Sequence, residues 1–122
     1  MSVTAKVPGP ETLTRGGSFL DADPTAIFTP EDFGSDDRLM IETAEAFCRN
    51  EVLPQLEALD QQQAGLMPRL IAEAGTLGLC GVDTGEAYGG LGQGKNVAAR
   101  ILEMMSLNGS FSVTYGITSG IS

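Results

Sequence analysis

Leu77-Gly-Leu-Cys-Gly-Val-Asp-Thr-Gly-Glu-Ala-Tyr-Gly-Gly-Leu-Gly92 carries six of the sixteen glycines and separates two segments of helical periodicity. Gly78 follows Leu77 where the upstream apolar stripe stops. That is the place for a left-handed residue closing a helix, since only glycine reaches positive φ without a steric penalty. Residues 79–82 are too few for a strand of ordinary length, and Gly85, Gly89, Gly90, Gly92 and Gly94 forbid regular structure before the next helix begins. The stretch reads as a tight, irregular crossover between two helices.

Working back from Gly78, Met67, Leu70, Ile71, Ala74 and Leu77 recur at helical spacing. They predict a helix from about residue 68, with Pro68 at its start, to residue 77. Gly75 reads as a point where another backbone approaches closely. Beyond a polar loop at residues 60–65, Ser35 is expected to cap a longer helix with Asp36 and Asp37 in its first turn. Its stripe is Met40, Ala44, Phe47, Cys48, Val52, Leu56 and Leu59. Pro54 cannot donate to the carbonyl of Asn50 and its ring crowds that carbonyl, so this helix is expected to bend there. Glu45 and Arg49, four apart in the favourable order, read as a solvated ion pair. Thr29-Pro30-Glu31-Asp32 has a capping residue, a proline and first-turn acids, which predicts one short turn. Residues 1–23 are rich in small polar residues and lack apolar periodicity. The organisation expected is a flexible arm over residues 1–28 and a helical domain over residues 29–122.

Downstream, a third helix is expected from about Lys95, burying Val97, Ile101, Met104 and Met105 and ended by Asn108-Gly109. The last segment reads two ways. Phe111, Val113, Tyr115 and Ile117 alternate with Ser, Thr and Gly as a strand would, whereas the resemblance described below makes the segment a fourth helix capped by Ser110.

Composition narrows the function. With 122 residues there is room for one domain, and a net charge of −9 with scattered basic residues argues against nucleic acid and anionic membrane surfaces. The same scatter offers no clamp for the diphosphate of a nucleotide or coenzyme. The chain has no histidine, so the usual general base and commonest metal ligand are absent. Cys48 and Cys80 match no metal-ligand spacing and read as buried thiols of a reducing cytoplasm. No apolar run approaches the length of a membrane span, and the N-terminus lacks the pattern of a signal peptide. Glu42, Glu45 and Glu57 fall on the polar side of their helix and form no acid/base couple. Gly89-Gly-Leu-Gly-Gln-Gly94-Lys95-Asn96 nearly spells a phosphate loop. The Ser or Thr that would hold magnesium is Asn96, and no apolar strand leads into the loop.

The crossover resembles one found in the N-terminal helical domain of acyl-CoA dehydrogenases, most specifically at Tyr88-Gly89-Gly90-Leu91-Gly92. Further matching pieces stand in the right order: Arg15-Gly-Gly-Ser-Phe-Leu20, Phe28-Thr-Pro-Glu-Asp-Phe33, Glu51-Val-Leu-Pro54, Ala74-Gly-Thr-Leu-Gly78 and Gly109-Ser-Phe-Ser-Val-Thr-Tyr-Gly116. Gly85 stands where that family usually has proline, and Ala87 where it usually has glutamate.

The resemblance implies an all-α fold, a small up-down helical bundle. It also implies FAD-dependent α,β-dehydrogenation of acyl-CoA thioesters, as in fatty-acid β-oxidation: a glutamate takes the α proton while FAD accepts the β hydride. In the family that glutamate belongs to a C-terminal helical domain and the main flavin contacts to a middle β domain. Nothing in these residues matches either. The chain is therefore expected to be one part of an enzyme, incomplete within its fourth helix and inactive alone. On it no catalytic, cofactor-binding or metal-binding residue is assigned. FAD is expected in the complete enzyme but not on this chain alone, acyl-CoA only together with the other domains, and homo-oligomers as in the family. By resemblance and by sharing one helix face, Val113, Gly116 and Gly120 would wall the acyl cavity, and a glycine at position 116 would suit long acyl groups. The rival readings are a stand-alone helical binding or scaffold module, for which a complete, capped last helix would be expected, and a degenerate phosphate-loop nucleotide binder.

Overall fold

The first long helix begins at a glycine. Gly34, in extended conformation (φ −71°, ψ 176°), occupies the cap position expected of Ser35, and its own N–H donates to the Asp37 carboxylate at 3.0 Å. Ser35 is already the first helical residue, so the acid of the first turn, rather than the serine, closes this end. The structure is a computed structural model that describes Asp23, Thr25 and residues 27–120, and the chain divides between Phe33 and Gly34. Most of the arm expected over residues 1–28, with Arg15 to Leu20 inside it, lies outside the described residues.

In the first unit, Pro30–Asp32 forms the single turn expected. Its cap works in reverse, because Thr29 N–H and hydroxyl both donate to Asp32, at 2.7 and 3.1 Å. The Phe28 and Phe33 rings meet edge to face, 5.0 Å apart.

The second unit holds α1 (Ser35–Phe47), α2 (Leu56–Asp60), α3 (Leu66–Thr76), α4 (Lys95–Met104) and α5 (Gly109–Gly120). Between α1 and α2 the chain stays coiled, but its hydrogen bonding changes: Cys48–Val52 widens into a π turn, where Leu53 N–H reaches back to Cys48, and Leu53–Gln55 then tightens into a 3-10 turn. Pro54 is the cause, since it supplies no N–H and forces its neighbours to re-pair. The bend expected at Pro54 is thus spread over both turns. Counting α1 and α2 as one broken helix, the unit is a four-helix, up-and-down, all-α bundle, and no described residue lies in a strand.

Most of the stripe on the broken helix is buried as expected, at Ala44, Phe47, Cys48, Val52 and Leu59, whereas Met40 and Leu56 are only half-buried; Glu42 and Glu57 face out and Glu45 meets Arg49 at 2.6 Å. Around that stripe α1 packs mainly on α4, which contributes buried Val97 and Ile101; Met105 follows in the next turn. Met104 is only half-buried. In the core the Cys48 Sγ lies 3.4 Å from the Met105 Sδ. α3 starts two residues earlier than expected and buries Leu66, with Pro68 at its third position, where a helix still has no acceptor for the missing N–H. Gly75 is exposed, and a side chain there would meet only Cys80, at 4.0 Å, so no backbone approaches it.

Gly78 ends the α3 segment at φ +80°, as expected. The crossover then folds onto itself. Leu91, Gly92 and Gln93 N–H donate to the carbonyls of Gly81, Thr84 and Val82 at 2.9, 2.8 and 2.8 Å, and two short 3-10 turns, Leu79–Gly81 and Glu86–Tyr88, fill the bends. At Gly90 a Cβ would lie 2.2 Å from the Thr84 carbonyl oxygen, so only glycine lets the two arms of the loop touch.

α5 resolves the ambiguity of the last segment in favour of a helix. Phe111 and Tyr115 are four apart and both buried, while Val113 and Ile117, also four apart, are 62% and 54% exposed. An alternation of period two is equally a pair of i, i+4 stripes on opposite helix faces. Asn108, rather than Ser110, caps α5: extended at φ −134°, its Oδ1 accepts from Phe111 N–H at 3.0 Å. The expected end of the third helix at Asn108 is therefore the start of the fourth, and α4 itself runs out into a 3-10 turn, Met105–Leu107.

A candidate binding groove between α4, α5 and the crossover

Two side chains fix α5. The Asn108 Nδ2 donates to the Asp60 carboxylate at 2.8 Å, so the residue that caps α5 also holds the end of α2. The Tyr115 hydroxyl donates to the Leu79 carbonyl at 2.5 Å, tying the helix to the turn just after Gly78. Burial pushes the Tyr115 phenol up to about 12, so it stays a donor throughout the neutral range. With the Phe47 and Phe111 rings 6.3 Å apart, these contacts settle which face of α5 points inward.

The shoulder of α5 beside α4 is then left open. Gly116, Ser119 and Gly120 face Ala98, Ala99 and Leu102 across a groove of about 340 Å³, with Leu79 and Val82 of the crossover as its floor. The groove exists because four facing positions are alanine or glycine. A methyl at Gly116 would meet Leu102 Cδ1 at 3.6 Å, and one at Gly120 would meet nothing within 4 Å. At the other end, Lys95 donates to Asp83, which holds the Asp83 carboxyl below the usual carboxylate range. The lysine that gave the crossover its likeness to a phosphate loop is therefore spent on a carboxylate, and no described strand leads into that loop.

Of the three expected wall residues, Gly116 and Gly120 line this groove together. Val113 stands apart from it, on the outer face with Ile117. Ala98, Ala99, Leu102 and the Tyr115 tether were not picked out from the sequence. The available signal was the pair of small residues a turn before Leu102, opposite a helix with glycines four apart. The Asn108 tether had a signal too, since asparagine is among the best cap residues.

The described cations offer little to a cofactor. Arg49, Arg69, Lys95 and Arg100 each sit against a carboxylate. No group of three metal-ligating side chains occurs among the described residues, and no helix there is long and apolar enough to cross a membrane. With their charge already shared with a carboxylate, these four cations do not supply the unpaired charge that would clamp the diphosphate of a flavin nucleotide.

Fold and groove together define a small helical domain with an apolar groove on one side. Residues 34–122 match the family model of the acyl-CoA dehydrogenase N-terminal domain, and the chain belongs to that family. It is 41% identical over 111 residues to a probable acyl-CoA dehydrogenase of Bacillus subtilis (strain 168), an alignment covering 89% of this chain and 19% of that protein. The crystal structure of an acyl-CoA dehydrogenase complexed with FAD from Bacillus anthracis superposes with a TM-score of 0.74 at 47% identity, covering 83% of this chain and 18% of the other. The chain thus spans under a fifth of the length of either relative.

Proposed function

We propose that this chain forms the N-terminal helical part of an FAD-dependent acyl-CoA dehydrogenase, where it walls one side of the acyl cavity and carries none of the chemistry. The observation behind this reading is α5. Twelve residues without a charge bury Phe111 and Tyr115 on one face and expose Val113 and Ile117 on the other. A helix apolar on both faces belongs between two layers, so its outer face is built to be covered. Gly116 and Gly120 line the groove that would take the acyl chain and leave room for a long one, while Val113 lies on the outer face that a further layer would cover. In the complete enzyme, acyl-CoA and FAD would be held jointly with further domains, in a homo-oligomer as is general in the family. A cytoplasmic setting accords with the free thiols of Cys48 and Cys80.

Flavin in the family supplies the hydride acceptor. Here the described residues do no more than exclude water and shape the cavity. The purified chain should show no flavin absorbance and no dye reduction with acyl-CoA of any length. A yellow protein, or turnover above blank, would place chemistry on this chain and overturn the reading. In a complete enzyme, Gly116→Glu should shift preference toward short acyl groups, and an unchanged chain-length profile would refute the wall assignment.

A further inference from the structure

We infer that Leu102 of α4 is a specificity-determining residue, the end-stop that sets how long an alkyl chain the groove between α4 and α5 accepts. The inference rests on the cavity-wall reading above and adds a residue from a helix that reading does not use. Along the groove the α4 side chains are small at Ala98 and Ala99, and the facing α5 positions, Gly116 and Gly120, carry none. Leu102 is the bulky exception. Its Cδ1 is the nearest atom to the position a Gly116 side chain would take, so the leucine closes the groove where the two helices come together. The opposite end is polar, marked by the Lys95–Asp83 pair. Lys95 and Leu102 are seven residues apart on one helix, which places the polar mouth and the apolar stop on the order of 10 Å from each other.

Leu102 is 39% exposed and outside the core, so replacing it alters the groove without opening the packing around Ile101 and Met105. Truncation to alanine removes three carbons, room for about three more methylene groups. Substitution by phenylalanine fills the same space and shortens the groove.

The test uses the chain as it stands and a homologous series of straight-chain alkanoyl thioesters of N-acetylcysteamine, followed by amide shifts of Ala98, Ala99, Gly116 and Gly120. Each added methylene should tighten binding about three- to fourfold until the tail reaches the stop, after which the gain ends. Leu102→Ala should extend the gain by about three carbons, a tightening on the order of thirtyfold for the longest chains. Leu102→Phe should end it earlier, and Leu39→Ala, on an exposed face of α1, should leave the profile as it is. Groove shifts with the same break point in Leu102→Ala and the parent would overturn the role of Leu102 and leave the wall reading standing. No groove shifts with any thioester would overturn the groove as an alkyl site of this chain and leave standing the wall reading, in which acyl-CoA is held jointly with further domains. Loss of helical signal in Leu102→Ala would contradict its placement outside the core, and Leu102→Phe then decides the break point.

Discussion

Between residues 81 and 93 the crossover is held by its own backbone, two irregular arms bonded across a gap only glycine can bridge, whereas α5 is held by side chains, namely one cap, one hydroxyl and two buried rings. The crossover contains almost nothing that favours regular structure, and its shape is nevertheless dictated locally. α5 has residues that would serve a strand as well, and its shape depends on what lies beside it. A segment rich in glycine can therefore be the better-determined of two. The exposed half of α5, with its uncharged apolar surface, is the part still waiting for context.

The largest effect expected from this contrast is at Gly90. Gly90→Ala drives a methyl into the Thr84 carbonyl and should cost about 3 kcal/mol, enough to unfold much of a small domain. A urea midpoint within error of the parent would show that the loop can open and that the local account is wrong.

Next comes Asn108. Asn108→Ala removes the α5 cap and the partner of Asp60, and should cost about 1–2 kcal/mol. Asn108→Asp keeps the capping oxygen but sets two carboxylates against each other. That variant should be weakened at neutral pH and recover as acid protonates one of them. If Asn108→Asp is as stable as the parent at pH 7, the Asp60 contact is not made in solution.

Tyr115→Phe leaves the Leu79 carbonyl unmet and should cost about 1 kcal/mol. The parent carries a pH signature here. Tyr115 titrates near 12 when folded against an ordinary 10, so the folded state holds its proton when the unfolded state has released it. Stability is therefore unaffected by this group below pH 10 and falls as pH rises from 10 toward 12. Phenylalanine should remove that alkaline decline. An identical decline in both proteins would assign it to other groups.

The smallest effect is a gain. Gly85 has φ −60° and ψ 143°, a conformation proline already prefers, and a side chain there meets nothing closer than the Tyr88 ring at 3.6 Å. Gly85→Pro should stabilise by about 0.5–1 kcal/mol by restricting the unfolded chain. A destabilised variant would mean that Thr84 cannot accept a following proline.

These contrasts also explain what could be read beforehand. The stripe from Ala44 to Leu59, the stop at Gly78 and the break at Pro54 were legible because each follows from local geometry. The caps were legible in kind but not in place. Acid, glycine and serine cluster at residues 34–37, and which of them closes the helix depends on a shift of one residue. The role of Asn108 was hidden because asparagine both ends and begins helices, and only its reach to Asp60, 48 residues away, tells which. At the candidate site the glycines of α5 could be named from the sequence, but the groove could not. Its other wall comes from α4, and the facing of Leu102 and Gly116 is set by the turn at residues 105–108 and by the tyrosine tether.

The two sulfurs that meet in the core give the molecule a chemical clock. Met105 is fully buried, Cys48 nearly so, and burial pushes the Cys48 thiol up to about 11, where it is a poor nucleophile at neutral pH. An oxidant or alkylating reagent can reach either sulfur only when the helices part. At reagent levels that outrun reclosing, sulfoxide formation at Met105 and labelling at Cys48 should then advance at one common pace, that of the opening itself, while half-buried Cys80 runs ahead of both. Reaction at Cys48 as fast as at Cys80 would show that the bundle breathes around α4 without unfolding.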